Sequence, residues 1–157
     1  PIKEKESLAL KLIPQLKSIE KVKEESQKVN IYEGKKGLRL LLEDMIKAKK
    51  IYFFGATGRT YNLMNFELPH LIKKAQKLGL KGKMITSKEY KNHPMTKIKG
   101  MKVKFLDVVK GPATTSIYEN KVSIHLLTEK PIIILIENEE IAKSYKEYFE
   151  FLWKMAN

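Results

Sequence analysis

The sequence predicts an α/β fold: a mixed, mostly parallel sheet flanked by helices and preceded by a long N-terminal helix. Three observations carry this. Ile51, Tyr52, Phe53 and Phe54 form an unbroken apolar run of β-prone side chains, the pattern of a strand buried on both faces of a largely parallel sheet. Around it, from Val29 to Ser87, strand-like and helix-like periodicities alternate. Before it, from Lys5 to Lys28, Leu8, Leu12, Leu16, Ile19 and Val22 recur at three- and four-residue steps between Lys and Glu, which makes a helix with one narrow apolar stripe. At 157 residues the chain holds one compact domain and an appendage, divided here into a helix over 1–28 and a domain over 29–157.

In the N-terminal helix Pro14 should start, kink or interrupt the helical run. The stripe suits either a partner helix or packing across its own domain. Val29–Glu33 alternates as a half-buried strand and ends at Gly34 and Gly37; Leu38, Leu41, Leu42, Met45 and Ile46 then make an amphipathic helix leading into the central strand. Strand, helix, strand implies a right-handed parallel crossover. After Gly55-Ala-Thr-Gly-Arg59 a second helix is expected from about Asn62 to Leu78, with a break at Pro69 and a cap at Gly79, followed by a strand over Lys81–Ser87. Lys88–Gly100 has turn residues and no period, and Met101–Asp107 alternates as a strand. Thr114–Tyr118 and Val122–Leu127 flank Glu119-Asn120-Lys121 as a hairpin, and Pro131–Glu137 is a buried strand. A last helix, Glu139–Met155, is capped by Asn138, and its stripe of Ile141, Tyr145, Tyr148, Phe149, Leu152 and Trp153 should pack against the sheet.

Composition excludes some functions. There is no Cys, so neither disulfides nor thiolate chemistry is available, and no apolar run is long enough to span a bilayer; a cytoplasmic protein is expected, with no membrane partner. The net charge of +13 is concentrated mid-chain: residues 51–111 carry thirteen basic and three acidic side chains. That excess reads either as a solvated Lys-rich surface or as a phosphate-facing one. Only Arg39 and Arg59 are arginine, which disfavours base-edge readout.

The glycine-bracketed turn after the central strand is where a small-molecule pocket belongs, because ligands of open α/β sheets collect beyond the carboxyl ends of strands. GATGR resembles the opening of a nucleotide-binding loop, yet Tyr61 stands where a third glycine is required, and the next strand ends in Thr86-Ser87-Lys88 without an acidic residue for a ribose. His70, His93 and His125 share no metal-ligand spacing, and Asp44 and Asp107 have no partner evident in sequence. No cofactor, metal or catalytic residue is expected.

Taken together, the segment Leu12–Leu16 (LIPQL), the Glu33-Gly34-x-x-Gly37 turn with its helix ending in Ala48-Lys49-Lys50, the hairpin SIYENKVSIH and the closing Phe149–Trp153 resemble the effector region of TrmB-type archaeal transcriptional regulators. The resemblance covers nearly the whole chain and implies a phospholipase D-like sensor domain over 29–157. It further implies a linker helix over 1–28 that pairs in a homodimer, and a winged helix-turn-helix preceding Pro1 that contacts DNA. In catalytic phospholipase D relatives the strand before the hairpin carries a His-x-Lys pair. Thr114 and Ser116 occupy those places here, and a hydroxyl does not replace an imidazole nucleophile, so phosphodiesterase activity should be absent. The larger sugar-sensing members continue into a further β-rich subdomain, so the likeness to them is partial.

The leading expectation is therefore a non-enzymatic sensor and dimerisation domain with a small-molecule effector. Thr57, Arg59, Thr86, Thr114 and Ser116 are its candidate ligand-binding residues, Arg59 being the natural anion contact. The alternatives are a nucleotide-dependent enzyme using GATGR, a divergent phosphodiesterase, and direct nucleic-acid binding through Lys73–Lys104.

Overall fold

The computed structural model describes residues 2–26, 28–107 and 111–157, and the side chains of all of these except 2 and 17–26. The elements run α1 (Ile2–Ser26), β1 (Lys28–Glu33), α2 (Gly34–Met45), β2 (Lys50–Ala56), α3 (Arg59–Leu63), α4 (Leu68–Lys77), β3 (Lys81–Thr86), β4 (Met101–Phe105), β5 (Ala113–Tyr118), β6 (Lys121–Leu126), β7 (Ile132–Glu137) and α5 (Glu139–Met155). Two short 3-10 turns, Lys88–Tyr90 and Pro94–Lys97, fill the loop between β3 and β4.

The seven strands form one sheet in the order β1-β7-β6-β5-β2-β3-β4. Four neighbouring pairs are antiparallel and two are parallel, yet β1, β2, β3, β4 and β6 all point the same way. β2 is the switch, antiparallel to β5 on one side and parallel to β3 on the other. The crossover expected from β1 through α2 to β2 is corrected in one respect. β1 and β2 share a direction but are not neighbours, because β1 pairs with β7 at the far edge of the sheet.

Alternation along the strands sorts the core into two faces. On one face Ile51, Phe53, Tyr118, Leu127, Ile133 and Leu135 pack beneath α2 and α4, where Leu38, Leu41, Met45 and Leu68 meet them. On the other, Ile85, Ile117 and Val122 pack beneath α5 through Ala142 and Phe149. Fully burying an aliphatic side chain of this size stabilises the fold by about 1.5–3 kcal/mol. The stripe expected on α5 is narrower than the sequence implies: Ile141 and Tyr148 are exposed, and Ala142 takes the buried place. Asn138 caps the helix as expected, its Oδ1 accepting from Ile141 N at 2.9 Å.

Two helical expectations change. The segment 62–78 divides into α3 and α4, with Pro69 in the first turn of α4 and Phe66 exposed in the connection. α1 continues through Pro14 without a break in the helix, with the residues on either side exposed to solvent. Residues 3–16 are exposed throughout, with Leu8, Leu12 and Leu16 uncovered, so this part of the stripe does not lie across its own domain. The side chains of Ile19 and Val22, the rest of that stripe, lie outside the described residues.

Candidate functional site

The carboxyl end of β2 is shaped by its glycines. The register with β3 shifts between Phe54 and Ala56, and Gly55 at φ 75° sits in that bulge. Gly58 at φ 74° ends the turn; a side chain there would meet the His93 ring within 2.5 Å, so both conformation and space require glycine. His93 is held in place by its own loop, where Nδ1 accepts from Met95 N at 3.2 Å and the ring stands edge-on to Tyr61 at 5.0 Å. α3, which follows, is only five residues long.

Beside this turn lies a cavity of about 160 Å³. Its roof is α2 and α4, through Leu38, Leu41, Met45, Leu71, Ile72 and Ala75, and its floor is the sheet, through Ile51, Phe53 and Met84. The wall is almost wholly apolar. Its polar members are Thr57, Thr60, Gln76, Lys99, Thr114 and His125, of which Thr114 and His125 are paired across the hairpin.

Thr57, Thr114 and His125 are each held differently. Thr114 Oγ1 donates to Gly55 O at 3.1 Å. Thr57 Oγ1 is buried with no hydrogen-bond partner among the described residues, a cost of about 1–3 kcal/mol for such a group unless something binds it. His125 stands opposite Thr114 across the hairpin and is 6 % exposed. Ser123 Oγ lies 3.3 Å from its Nδ1, and burial pushes its pKa down to about 4, so the ring is neutral at physiological pH.

Of the five candidates from the sequence, Thr57 and Thr114 line this cavity and the other three do not. Thr86 is fully buried and spends its hydroxyl on Ala56 O at 2.7 Å. Ser116 is fully buried and bonded through Oγ to Ser123 Oγ. Arg59 is exposed at the start of α3, and its guanidinium donates to Leu127 O at 3.4 Å, outside the cavity lining itself. His125 was the residue the sequence did not single out. The signal available was the hairpin register, since pairing around Glu119-Asn120 sets Thr114 against His125.

A second polar cluster lies at the far end of α2. Asp44 Oδ2 accepts from Tyr118 Oη and Lys121 Nζ, each at 2.8 Å, which supplies the partner that sequence alone did not reveal. Burial opposes the charge on Asp44, but the bonds from Lys121 and Tyr118 outweigh it and hold its pKa below the ordinary value. Burial and the same carboxylate push the Tyr118 phenol up. Asp107 likewise has a local role, accepting from Lys88 N at 3.1 Å. Among the described residues no group of three His, Asp or Glu could hold a metal, and no helix is long and apolar enough to cross a membrane.

Sheet order and strand directions define a mixed α/β domain whose fold is shared with solved structures of the phospholipase D family. No protein-family model and no curated protein matches the sequence. Solved structures do match. TrmBL2, an archaeal chromatin protein described as showing a novel mode of DNA binding, aligns with TM-score 0.58 and 20% identity over 98% of this chain. NucT from Helicobacter pylori aligns at 0.60 and 13% over 83% of this chain and 98% of its own. Nuc from Salmonella typhimurium, a phospholipase D family member, aligns at 0.59 and 15% over 84% of this chain and 97% of its own. At these identities the likeness is one of fold. The chain spans 66% of the TrmBL2 chain.

Proposed function

We propose that this chain is the catalytically inactive sensor and dimerisation unit of a DNA-binding transcriptional regulator, related in role to the TrmB-type effector regions. The observation that carries the reading is the connection from cavity to helix. α2, which roofs the cavity, follows β1 without a loop, and β1 begins two residues after the last residue of α1. Gly37 of α2 lies directly against Tyr32 of β1. A small molecule with an apolar body and a neutral polar end, seated against Thr57 and His125, therefore acts on the helix nearest the linker. Such a ligand biases α1 only through different affinity for two arrangements of α2.

Support comes from the exposed stripe of α1 and from the likeness to TrmBL2. That likeness takes in 98% of this chain where those to NucT and Nuc take in 83–84%, a difference about the length of α1. DNA contact in this reading belongs chiefly to a domain outside the chain, and the working unit is a homodimer joined through α1.

Sedimentation equilibrium of the chain and of an L12E/L16E variant tests it. The parent should be a dimer and the variant a monomer with unchanged helical content; a monomeric parent, or a variant that stays dimeric, removes the mechanical basis. Catalytic inactivity is tested with bis(4-nitrophenyl) phosphate. Turnover above background that disappears in a T114A/S116A variant would overturn it.

A further inference from the structure

The sheet face beneath α5 carries a feature that neither folding nor the sensor reading requires. α5 crosses β6, β5 and β2, and its end reaches the carboxyl end of β4, where Asn157 and Phe105 exchange both backbone hydrogen bonds. On that face Lys50, Lys81 and Lys102 are exposed, while Lys83 and Lys104 are half-buried beside Trp153 at the end of α5. Alternation and register place Lys50, Lys81, Lys83, Lys102 and Lys104 there together.

Two of the neighbouring pairs are lysine against lysine: Lys50 with Lys81, and Lys83 with Lys102. Like charges directly opposite one another weaken a sheet. None of the five lysines forms an ion pair among the described residues. No carboxylate among the described residues is paired with these lysines to offset the repulsion, whereas an external polyanion would offset it.

We infer that this face is a docking surface for the phosphate backbone of double-stranded nucleic acid, bound without sequence preference. Strand spacing sets the attachment points of these lysines roughly 5 Å apart across and 6.6 Å apart along the strands, a dense row of cations suited to a chain of phosphates. The aromatic rings on the face are already capped by cations: Lys83 and Lys104 lie 5.1 and 4.7 Å from the Trp153 ring, and Lys146 lies 4.8 Å from that of Tyr52. Among the described residues β3 and β4 place no aromatic ring on this face to stack on an unpaired base or to enter a lipid interface, which favours a duplex over a single strand or a membrane. Lysine without arginine on the face supplies point charges and no bidentate base contact.

The test is fluorescence anisotropy of the chain with a random-sequence 30-base-pair duplex across a salt series, beside a K83Q/K102Q variant and a K73Q/K77Q control on α4. The parent should bind with affinity falling steeply with salt. K83Q/K102Q should weaken binding at least tenfold at low salt and flatten the log–log salt slope by about 2, as for two lost phosphate contacts. Its melting temperature should hold or rise, since repulsion has been relieved, so a loss of binding is not a loss of fold. Absence of duplex binding at 50 mM salt, equal weakening in the control, or retention only on phosphatidylglycerol vesicles would each overturn the inference. The dimer test for the sensor reading is independent of all these outcomes.

Discussion

His125 carries the sharpest consequence at the scale of one residue. Its ordinary pKa is 6.5, and burial lowers it to about 4 in the fold. Above pH 6.5 both folded and unfolded chains hold it neutral, and it adds nothing to pH dependence. As pH falls from 6.5 towards 4 the unfolded chain takes up a proton that the folded chain refuses, so stability is lost across that window. The full effect is on the order of 3 kcal/mol. Urea unfolding at pH 7 and at pH 4.5, on the parent and on His125→Gln, checks it: the parent should lose more stability than the variant between the two pH values. Equal losses would mean the imidazole is protonated in the fold. Thr57, three strands away in sequence order, shows why site residues were only partly legible. Its position after the central strand was readable from GATGR, but its unpartnered hydroxyl depends on the bulge at Gly55 and on which carbonyls Thr86 and Thr114 had already taken.

Elements were legible wherever the local period and the burial agreed. β2, β3, the β5–β6 hairpin and α5 fall within two residues of their predicted ends, since each has both a clean period and a chemical boundary: Gly79 before β3, Glu119-Asn120 in the hairpin, Asn138 before α5. The misread elements are those whose periodic residues face solvent. Phe66 fitted a helical stripe and lies in a connection, and Tyr148 fitted the α5 stripe and stands outside it, because a spacing of three or four does not say how wide the contact beneath will be. The lysines of β3 and β4 illustrate the same limit. Alternation of Lys102 and Lys104 with Val103 was visible in the sequence, but only pairing shows that Lys83 stands beside Lys102, turning a compositional excess into a patterned surface.

At the scale of the molecule, sheet order was the least legible feature. Nothing local in Val29–Glu33 says that it pairs with Ile132–Glu137, more than a hundred residues on, and not with its sequence neighbour β2. That long-range pairing matters for function, because it leaves α2 spanning the sheet above an interior that its own side chains do not fill. A cavity of about 160 Å³ is unusual in a close-packed domain, and lining atoms facing a void forgo dispersion contacts. If the space is kept for a ligand, filling it should stabilise the chain at the expense of binding. Ala75 is the place to do this, since it is buried on α4, lines the cavity and accepts Leu with little change in helix propensity. Ala75→Leu should raise stability by about 1–2 kcal/mol, which is about 2–8 °C in melting temperature for a domain of this size. Millimolar benzene, a probe of the apolar body of the effector, should raise the melting temperature of the parent and leave that of the variant unchanged. A destabilised Ala75→Leu would mean that α4 already rests on a full core, and the seat for an effector would then have to be sought away from α2.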